Sequence, residues 1–196
     1  MHKMGKILFI HGLASSGAYK MADMLRQLMR PCEVISPDVP IGAQEALGML
    51  EDICAKESPD LVVGLSWGGF LAQKLRGRSK VLVNPDLHIS RLMRYISGEV
   101  KYLSPRADGA QSFVIDDSVC EAYRTLEQVQ YDGLDDAERS LTLGLFAEDD
   151  QLVHCHDEFV QYYPGRAKKY PGGHLPTYPD MKFHIVPAIE AFLGTE

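Results

Sequence analysis

The stretch Leu61-Val62-Val63-Gly64-Leu65-Ser66-Trp67-Gly68-Gly69 decides the fold of this 196-residue chain. It begins as an apolar run typical of a buried strand and continues into a helical pattern. G-x-S-x-G between a strand and a helix is typical of a nucleophile elbow, because side chains at Gly64 and Gly68 would collide with neighbouring strand and helix. We therefore expect Ser66 to project alone at the carboxyl end of the strand. The alternative is a glycine-rich turn needed only for close packing.

Apolar runs of strand length alternate with helical patterns along most of the chain. The predicted strands are Lys6–Ile10, Glu33–Ser36, Leu61–Leu65, Val81–Val83, Leu141–Phe146 and Ala167–Tyr170. The predicted helices are Tyr19–Met29, Ala43–Ala55, one directly after Ser66, and Phe183–Phe192. Strands that are apolar on both faces and alternate with helices indicate a mostly parallel sheet covered on both sides. The sequence therefore predicts a three-layer α/β fold with about six strands.

One region interrupts this alternation. From Leu87 to Arg139 the sequence contains no clear strand, only helical fragments rich in Arg, Tyr, Asp and Ser. The region is too long for a plain loop in a compact domain. A chain of this length suits one domain, so we expect a single domain over residues 1–196 with a small helical cap, or lid, inserted at residues 87–139.

Composition excludes several classes of protein. The chain has 20 basic and 27 acidic residues, a net charge of −7, and no long basic cluster, which argues against binding to nucleic acid or an anionic membrane. No apolar run approaches the roughly 20 residues that span a bilayer. The four cysteines are scattered and form no C-x-x-C motif, so we expect reduced thiols and a cytoplasmic protein.

Two further motifs do not predict a cofactor or a metal. The loop Gly12–Gly17 follows a strand, but Ala18 and Tyr19 stand where a phosphate-binding loop needs Lys and Ser or Thr, and no G-x-G-x-x-G occurs there. In His154-Cys155-His156-Asp157 the two histidines are two residues apart and point in different directions on a helix, and no second ligand cluster has zinc spacing. We therefore expect no bound cofactor and no metal.

A nucleophilic serine needs a base and an acid that orients the base, each following a later strand of the sheet. Asp150 follows the strand Leu141–Phe146, and His174 follows the strand that ends at Tyr170. Glu148 and Asp149 compete with Asp150 for the role of the acid. His184 competes with His174, and Asp86 with His88 forms a second possible pair.

Taken together, these motifs resemble the α/β-hydrolase superfamily, and within it the small bacterial YqiA-like esterases. The resemblance rests on His11-Gly12, Gly64-x-Ser66-x-Gly68-Gly69, Asn84-Pro85, Asp150-x-x-Val153 and Gly172-Gly173-His174. It implies an oxyanion hole formed by the backbone N–H groups of Leu13 and Trp67, with His11 shaping the first loop. The sequence departs from the group where His174 directly follows the glycine pair and where Ala147 replaces a common glycine.

The resemblance and the motifs together predict a cofactor-free serine hydrolase. Ser66 would attack a small carboxylic ester or thioester, with His174 as base and Asp150 as the orienting acid. A short cap with a shallow pocket predicts short to medium acyl chains, although its aromatic residues also fit simple packing. The alternatives are a non-catalytic binding protein of the same fold and a peptidase or acyltransferase. The oligomeric state stays open.

Overall fold

The computed structural model describes residues 5–194; residues 1–4 and 195–196 of the predicted domain lie outside the described part. Its strands are β1 (Lys6–Ile10), β2 (Glu33–Ile35), β3 (Leu61–Leu65), β4 (Lys80–Val83), β5 (Gly98–Lys101), β6 (Ser112–Ile115), β7 (Thr142–Ala147) and β8 (Ala167–Tyr170). Its helices are α1 (Lys20–Leu28), α2 (Ala43–Glu57), α3 (Trp67–Lys74), α4 (Ile89–Tyr95), α5 (Asp117–Gln128), α6 (Asp136–Ser140), α7 (His156–Tyr162), α8 (Tyr178–Asp180) and α9 (Val186–Leu193). The π-helical turn Met181–Ile185 joins α8 to α9.

Six strands form one parallel sheet in the order β2-β1-β3-β4-β7-β8. In this register Ile10 lies beside Gly64, and Leu65 lies beside Val83. Every predicted strand is present, with ends within one residue of the expected positions. The predicted three-layer α/β fold with a parallel sheet of about six strands is therefore confirmed.

The alternating faces of the central strands build two separate apolar cores. On one face Ile7, Phe9 and Val63 pack against α1, the π-helical turn and α9. On the other face Leu8, Ile10 and Val62 pack against α2, α3 and the inserted helices. Burial of both faces explains why the central strands are apolar along their whole length.

The segment between β4 and β7 differs from the prediction of helical fragments alone. It contains α4, α5 and α6, but also β5 and β6, which pair as an antiparallel hairpin apart from the main sheet. The expectation that this region has no strand is wrong. The hairpin strands have four residues each and most of their side chains are exposed or only partly buried. The first, Gly98–Lys101, has no apolar run, and the second has only Phe113-Val114-Ile115 within a polar stretch.

The described residues also bear on the class of the protein. Cys54, Cys120 and Cys155 are buried and form no disulfide bond within residues 5–194. No helix within residues 5–194 is long and apolar enough to cross a membrane.

Parallel strands place their carboxyl ends at one edge of the sheet, and the loops that leave this edge carry the predicted site residues. Ser66 follows β3, Asp150 follows β7, and His174 follows β8. Leu13 lies on the loop after β1. Ligands of open α/β sheets bind at this edge, so the topology alone brings these distant residues to one region.

Candidate active site

The turn from β3 into α3 is tight and strained. Ser66 has a positive φ of 54° with ψ at −116°, a conformation that residues with a side chain rarely adopt. A Cβ atom on Gly64 would lie 2.2 Å from the carbonyl oxygen of Gly68, and one on Gly68 would lie 2.2 Å from that of Ile10. These backbone contacts leave room only for glycine at both positions.

Three side chains from three loops form a chain of hydrogen bonds at this edge. His174 Nε2 lies 3.0 Å from Ser66 Oγ, and His174 Nδ1 lies 2.8 Å from Asp150 Oδ2. An imidazole protonated on Nδ1 donates to the carboxylate and accepts the serine hydroxyl proton on Nε2. The side chains of His174 and Asp150 are only 11% and 6% exposed, so solvent screens their interaction weakly.

The loop after β7 selects Asp150 among its three consecutive acidic residues. Asp150 Oδ1 accepts hydrogen bonds from the backbone N–H groups of Leu152 at 2.8 Å and Val153 at 3.0 Å. These bonds leave Oδ2 for His174. Glu148 and Asp149 have exposed side chains, while their backbone N–H groups donate to carbonyls at the end of β8 and in the loop that follows it. Asp150 is thus the carboxylate that this loop presents to the imidazole.

The competing histidines occupy other places. His184 lies in the π-helical turn, where its ring stacks on Tyr170 with centroids 6.4 Å apart. His88 pairs through Nε2 with Glu158. Asp86 Oδ1 accepts the backbone N–H of His88 at 3.0 Å, and within residues 5–194 the two residues form no Asp–His side-chain pair. Burial raises the pKa of Asp86.

The two predicted backbone donors lie beside the serine. Trp67 is the first residue of α3, where the N–H groups have no partner within the helix and the helix dipole favours negative charge. The loop carrying Leu13 lies close by, since a Cβ atom on Gly12 would be 3.8 Å from Ser66 Cβ. Neither Leu13 nor Trp67 donates its backbone N–H to another group of the described chain, so both are available.

His11 fixes the loop that carries Leu13. Its Nδ1 donates to the carbonyl of Gly12 at 2.8 Å, and its Nε2 accepts the N–H of Val39 at 3.0 Å. This pattern requires the neutral ring with the proton on Nδ1. Burial lowers the pKa of His11 to about 4. The residue therefore remains neutral and joins the loop after β1 to the loop after β2.

Asn84 belongs to the Asn84-Pro85 motif, from which no role for its side chain was predicted. It is buried, follows β4 directly, and has a positive φ of 46°. Its Oδ1 accepts the N–H of Ala147 at 2.7 Å, and its Nδ2 donates to Tyr170 Oη at 2.9 Å and to the carbonyl of His174 at 2.8 Å. Asn84 thus ties the ends of three strands to the backbone of the histidine. In the sequence, a polar residue directly after a buried strand was the feature that could have indicated this role.

A small apolar cavity of about 10 Å³ adjoins the loop of Leu13. It is lined by His11, Leu13, Val39, Ile41, Trp67, Tyr102 and Phe113, among others. Tyr102 lies beside the β5–β6 hairpin, to which Phe113 belongs. The turn of the hairpin is held to the loop after β1, where Leu103 N–H donates to the carbonyl of Ala14 at 2.7 Å. The inserted segment therefore forms one wall of this cavity.

The motifs weighed for cofactor or metal binding make other contacts. Gly17 N–H donates to the Asp38 carboxylate at 2.7 Å, so an acidic side chain occupies the glycine loop. His156 Nδ1 pairs with the neighbouring Asp157 at 2.8 Å. Within the described part of the chain, no three His, Cys, Asp or Glu side chains are grouped to hold a metal ion.

Comparisons with known proteins agree with this architecture. The sequence model described as uncharacterised protein family UPF0227 matches residues 6–157. No curated protein matches the chain. Three solved structures are similar in fold. The esterase domain of a Rhodothermus marinus protein has a TM-score of 0.64 at 17% identity, covering 95% of this chain and 86% of that one. An Arabidopsis methylesterase has a TM-score of 0.62 at 10% identity, covering 95% of this chain and 99% of that one.

The third structure is NosK from Streptomyces actuosus, with a TM-score of 0.59 at 17% identity and coverage of 98% of both chains. These identities are low, so the likeness concerns the fold. Together with the sheet order, it establishes the α/β-hydrolase fold. The resemblance predicted from the sequence motifs is thereby confirmed.

Proposed function

The chain belongs to the uncharacterised protein family UPF0227, and we propose that it is a serine hydrolase of small carboxylic esters or thioesters. The observation that carries this proposal is the unbroken chain of hydrogen bonds from Ser66 through His174 to Asp150, on a strained turn at the carboxyl edge of the sheet. The similarity of the chain's fold to that of esterases also supports hydrolase chemistry.

The proposed reaction has two halves. Ser66 Oγ attacks the acyl carbon while His174 Nε2 takes the hydroxyl proton, and Asp150 stabilises the imidazolium that results. The proton then passes from His174 to the leaving alcohol or thiol, which leaves an acyl group on Ser66. Water attacks this acyl-enzyme with His174 again as base, and the serine is released.

The negative charge that develops on the acyl oxygen needs hydrogen-bond donors. The N–H groups of Leu13 and Trp67 are the proposed donors, because both flank Ser66 and neither is used elsewhere in residues 5–194. Removing one such donor typically costs about 2.7–4 kcal/mol of transition-state stabilisation. His11 supports this arrangement by holding the Leu13 loop.

The acyl chain is proposed to be short to medium, with residues 87–139 acting as the cap that limits it. The cavity beside Leu13 and Trp67 is apolar but holds only about 10 Å³, roughly the space of one water-sized sphere, so the inserted segment leaves little room for a long acyl chain there. Phe113 and Tyr102 close it from the side of the hairpin. A cytoplasmic location is also proposed, because Cys54, Cys120 and Cys155 form no disulfide bond within residues 5–194, as is usual in a reducing compartment.

Covalent labelling with a fluorophosphonate tests the proposal. We expect one adduct on Ser66, loss of the adduct in Ser66→Ala, and full labelling of the control Ser118→Ala, whose serine lies on α5 away from the triad. A natively folded chain that takes no label would favour the non-catalytic binding protein. Peptide p-nitroanilides and acceptor alcohols assayed beside p-nitrophenyl esters would reveal a peptidase or acyltransferase instead.

Chain-length dependence tests the proposed cap. Across p-nitrophenyl esters from acetyl to palmitoyl, we expect kcat/KM to peak at short to medium chains. Phe113→Ala should move the peak to longer chains, since it removes one wall of the cavity. Tyr95→Ala, at a side chain 88% exposed and outside the cavity, should not. A steady rise to palmitoyl in the unmodified chain would contradict this part of the proposal.

A further inference from the structure

A larger groove lies in the inserted segment, between α4 and α5. Its volume is about 650 Å³, within the range of small-molecule sites. Among the residues that line it are His88, Ser90, Arg91, Arg94, Arg124 and Glu127. Neither the proposed reaction nor the apolar cavity uses this groove.

The groove concentrates positive charge that the described chain neutralises only in part. Arg91 and Arg94 are three residues apart and so share one face of α4, and neither forms an ion pair with a carboxylate in residues 5–194. Arg124 faces them from α5, and its Nη1 lies 3.7 Å from Glu121, beyond hydrogen-bond distance.

The one carboxylate that lines the groove is already engaged. Glu127 accepts hydrogen bonds from the N–H and the hydroxyl of Ser90, both at 2.7 Å. His88 is paired with Glu158. Three guanidinium groups therefore face a cavity that contains a single carboxylate, although the whole chain carries a net charge of −7.

We propose that this groove binds a small phosphorylated molecule through Arg91, Arg94 and Arg124. One guanidinium group can donate two parallel hydrogen bonds to a phosphate group. A phosphate group has enough acceptor oxygens to bind more than one arginine. A simple monocarboxylate would satisfy a single arginine. The net negative charge of the chain disfavours a long polyanion such as nucleic acid, which leaves a small anion as the occupant.

The groove begins at the same edge of the sheet as the candidate active site. His88 stands directly before α4, and its backbone N–H donates to Asp86, whose own N–H donates to the carbonyl of Ser66 at 3.2 Å. The phosphate site thus adjoins the loop that packs on the serine. Binding there does not depend on hydrolysis at Ser66.

Calorimetric titration of the full chain with pyrophosphate tests the site. We expect saturable binding at low salt, unchanged in Ser66→Ala, and at least tenfold weaker in Arg91→Glu/Arg94→Glu. The control Arg26→Glu/Lys168→Glu changes the net charge equally at exposed positions outside the groove, and it should bind nearly as well as the unmodified chain. Circular dichroism checks that each variant is folded.

Three results would overturn the proposal. The first is that pyrophosphate does not bind the unmodified chain saturably. The second is that pyrophosphate affinity falls equally in both double variants, and the third is that succinate binds as tightly as pyrophosphate. The second result would indicate an effect of overall charge, and the third a general anion surface. Esterase activity is measured separately, so a failure of this site leaves the proposed hydrolase function intact, and the reverse also holds.

Discussion

The carboxyl edge of the sheet and the segment inserted between β4 and β7 follow different rules. At the edge, each candidate residue stands a few positions after a parallel strand, and contacts between backbones leave little freedom, as at Gly64 and Gly68. The inserted segment joins the domain through packing between helices, with Ile89, Met93 and Cys120 buried in the core. Tyr123 packs on Trp67 and Phe70, and the hairpin turn bonds to the loop after β1.

This difference indicates which region suits the proposed hydrolysis and which suits recognition of the substrate. The proposed hydrolysis needs fixed distances between side chains, and its residues lie where the sheet topology and tight turns fix the backbone. Recognition of the acyl group and of a phosphorylated molecule is proposed for the inserted segment, whose short elements pack by side chains. Loops and insertions on a rigid scaffold commonly carry specificity in this way. The following four predictions test that division.

The largest expected effect is at the edge itself. Asp150→Asn should fold normally but lower kcat by about 10⁴-fold, because the amide favours the wrong imidazole tautomer. The matched control is Asp149→Asn, an exposed neighbour, which should change kcat less than threefold. Steady-state hydrolysis of p-nitrophenyl butyrate measures both. If Asp149→Asn is the crippling change, Asp150 is not the triad acid.

The next effect concerns the buried ion pair that joins the inserted segment to the start of β4. Lys80 of β4 is fully buried and pairs with Glu138 of α6, which also accepts the N–H of Gly77 at 2.8 Å. Burial lowers the pKa of Lys80, while Glu138 opposes that shift. Lys80→Met should lower the free energy of unfolding by about 3–5 kcal/mol, because it leaves the Glu138 carboxylate buried and unpaired.

Denaturant unfolding measures this loss, and the exposed Lys168→Met is its control, with an expected change within about 0.5 kcal/mol. Adding Glu138→Leu to Lys80→Met should recover most of the stability, since the buried charge is then removed. Equal stability of the two single lysine variants would show that the pair does not anchor the inserted segment.

A smaller effect is expected from His11, which holds the loop under the hairpin. Burial lowers the pKa of His11 to about 4 in the folded chain, against 6.5 for an ordinary histidine, so the unfolded chain binds the proton more readily. Its contribution to stability is therefore complete above pH 6.5 and decreases as the pH falls towards 4, by roughly 3 kcal/mol in all. His11→Gln should flatten that part of the pH profile.

Denaturant unfolding at several pH values between 4 and 7 tests this. His154→Gln is the matched control, because His154 is exposed and should leave the slope as it is. A profile that is unchanged by His11→Gln would mean that the ring is protonated at the same pH in both states.

The smallest of the four effects is expected where the inserted segment leaves the sheet. Asn84→Asp keeps an acceptor for Ala147 N–H but replaces the donor to the His174 carbonyl. Loss of this positioning contact should lower kcat by about 10–100-fold with little change in KM, because small misplacements of a catalytic group are costly. Asn84→Ala, which removes both contacts, should not restore kcat. Unchanged kcat in both variants would limit Asn84 to a structural role.

The sequence predicted most of the sheet because its strands carry the strongest local pattern. Continuous apolar runs such as Leu61–Leu65 are buried on both faces and have no other stable place. The hairpin strands were not predicted because Gly98–Lys101 has no such run, and Phe113-Val114-Ile115 is short and lies in a polar stretch. Asn84 gained no role from sequence, because its hydrogen bonds reach residues 63 and more positions away.

By itself the sequence determined the fold class, the strained glycine turn around Ser66, and the chain order in which acid and histidine follow the serine. These features arise from local periodicity and from short turns, which neighbouring residues decide. Only the tertiary structure decided that Asp150, rather than Glu148 or Asp149, meets His174, since backbone N–H groups two and three residues on orient its carboxylate. It alone also decided the tautomer of His11 and the arginine-lined groove, because both depend on contacts between distant segments or separate helices.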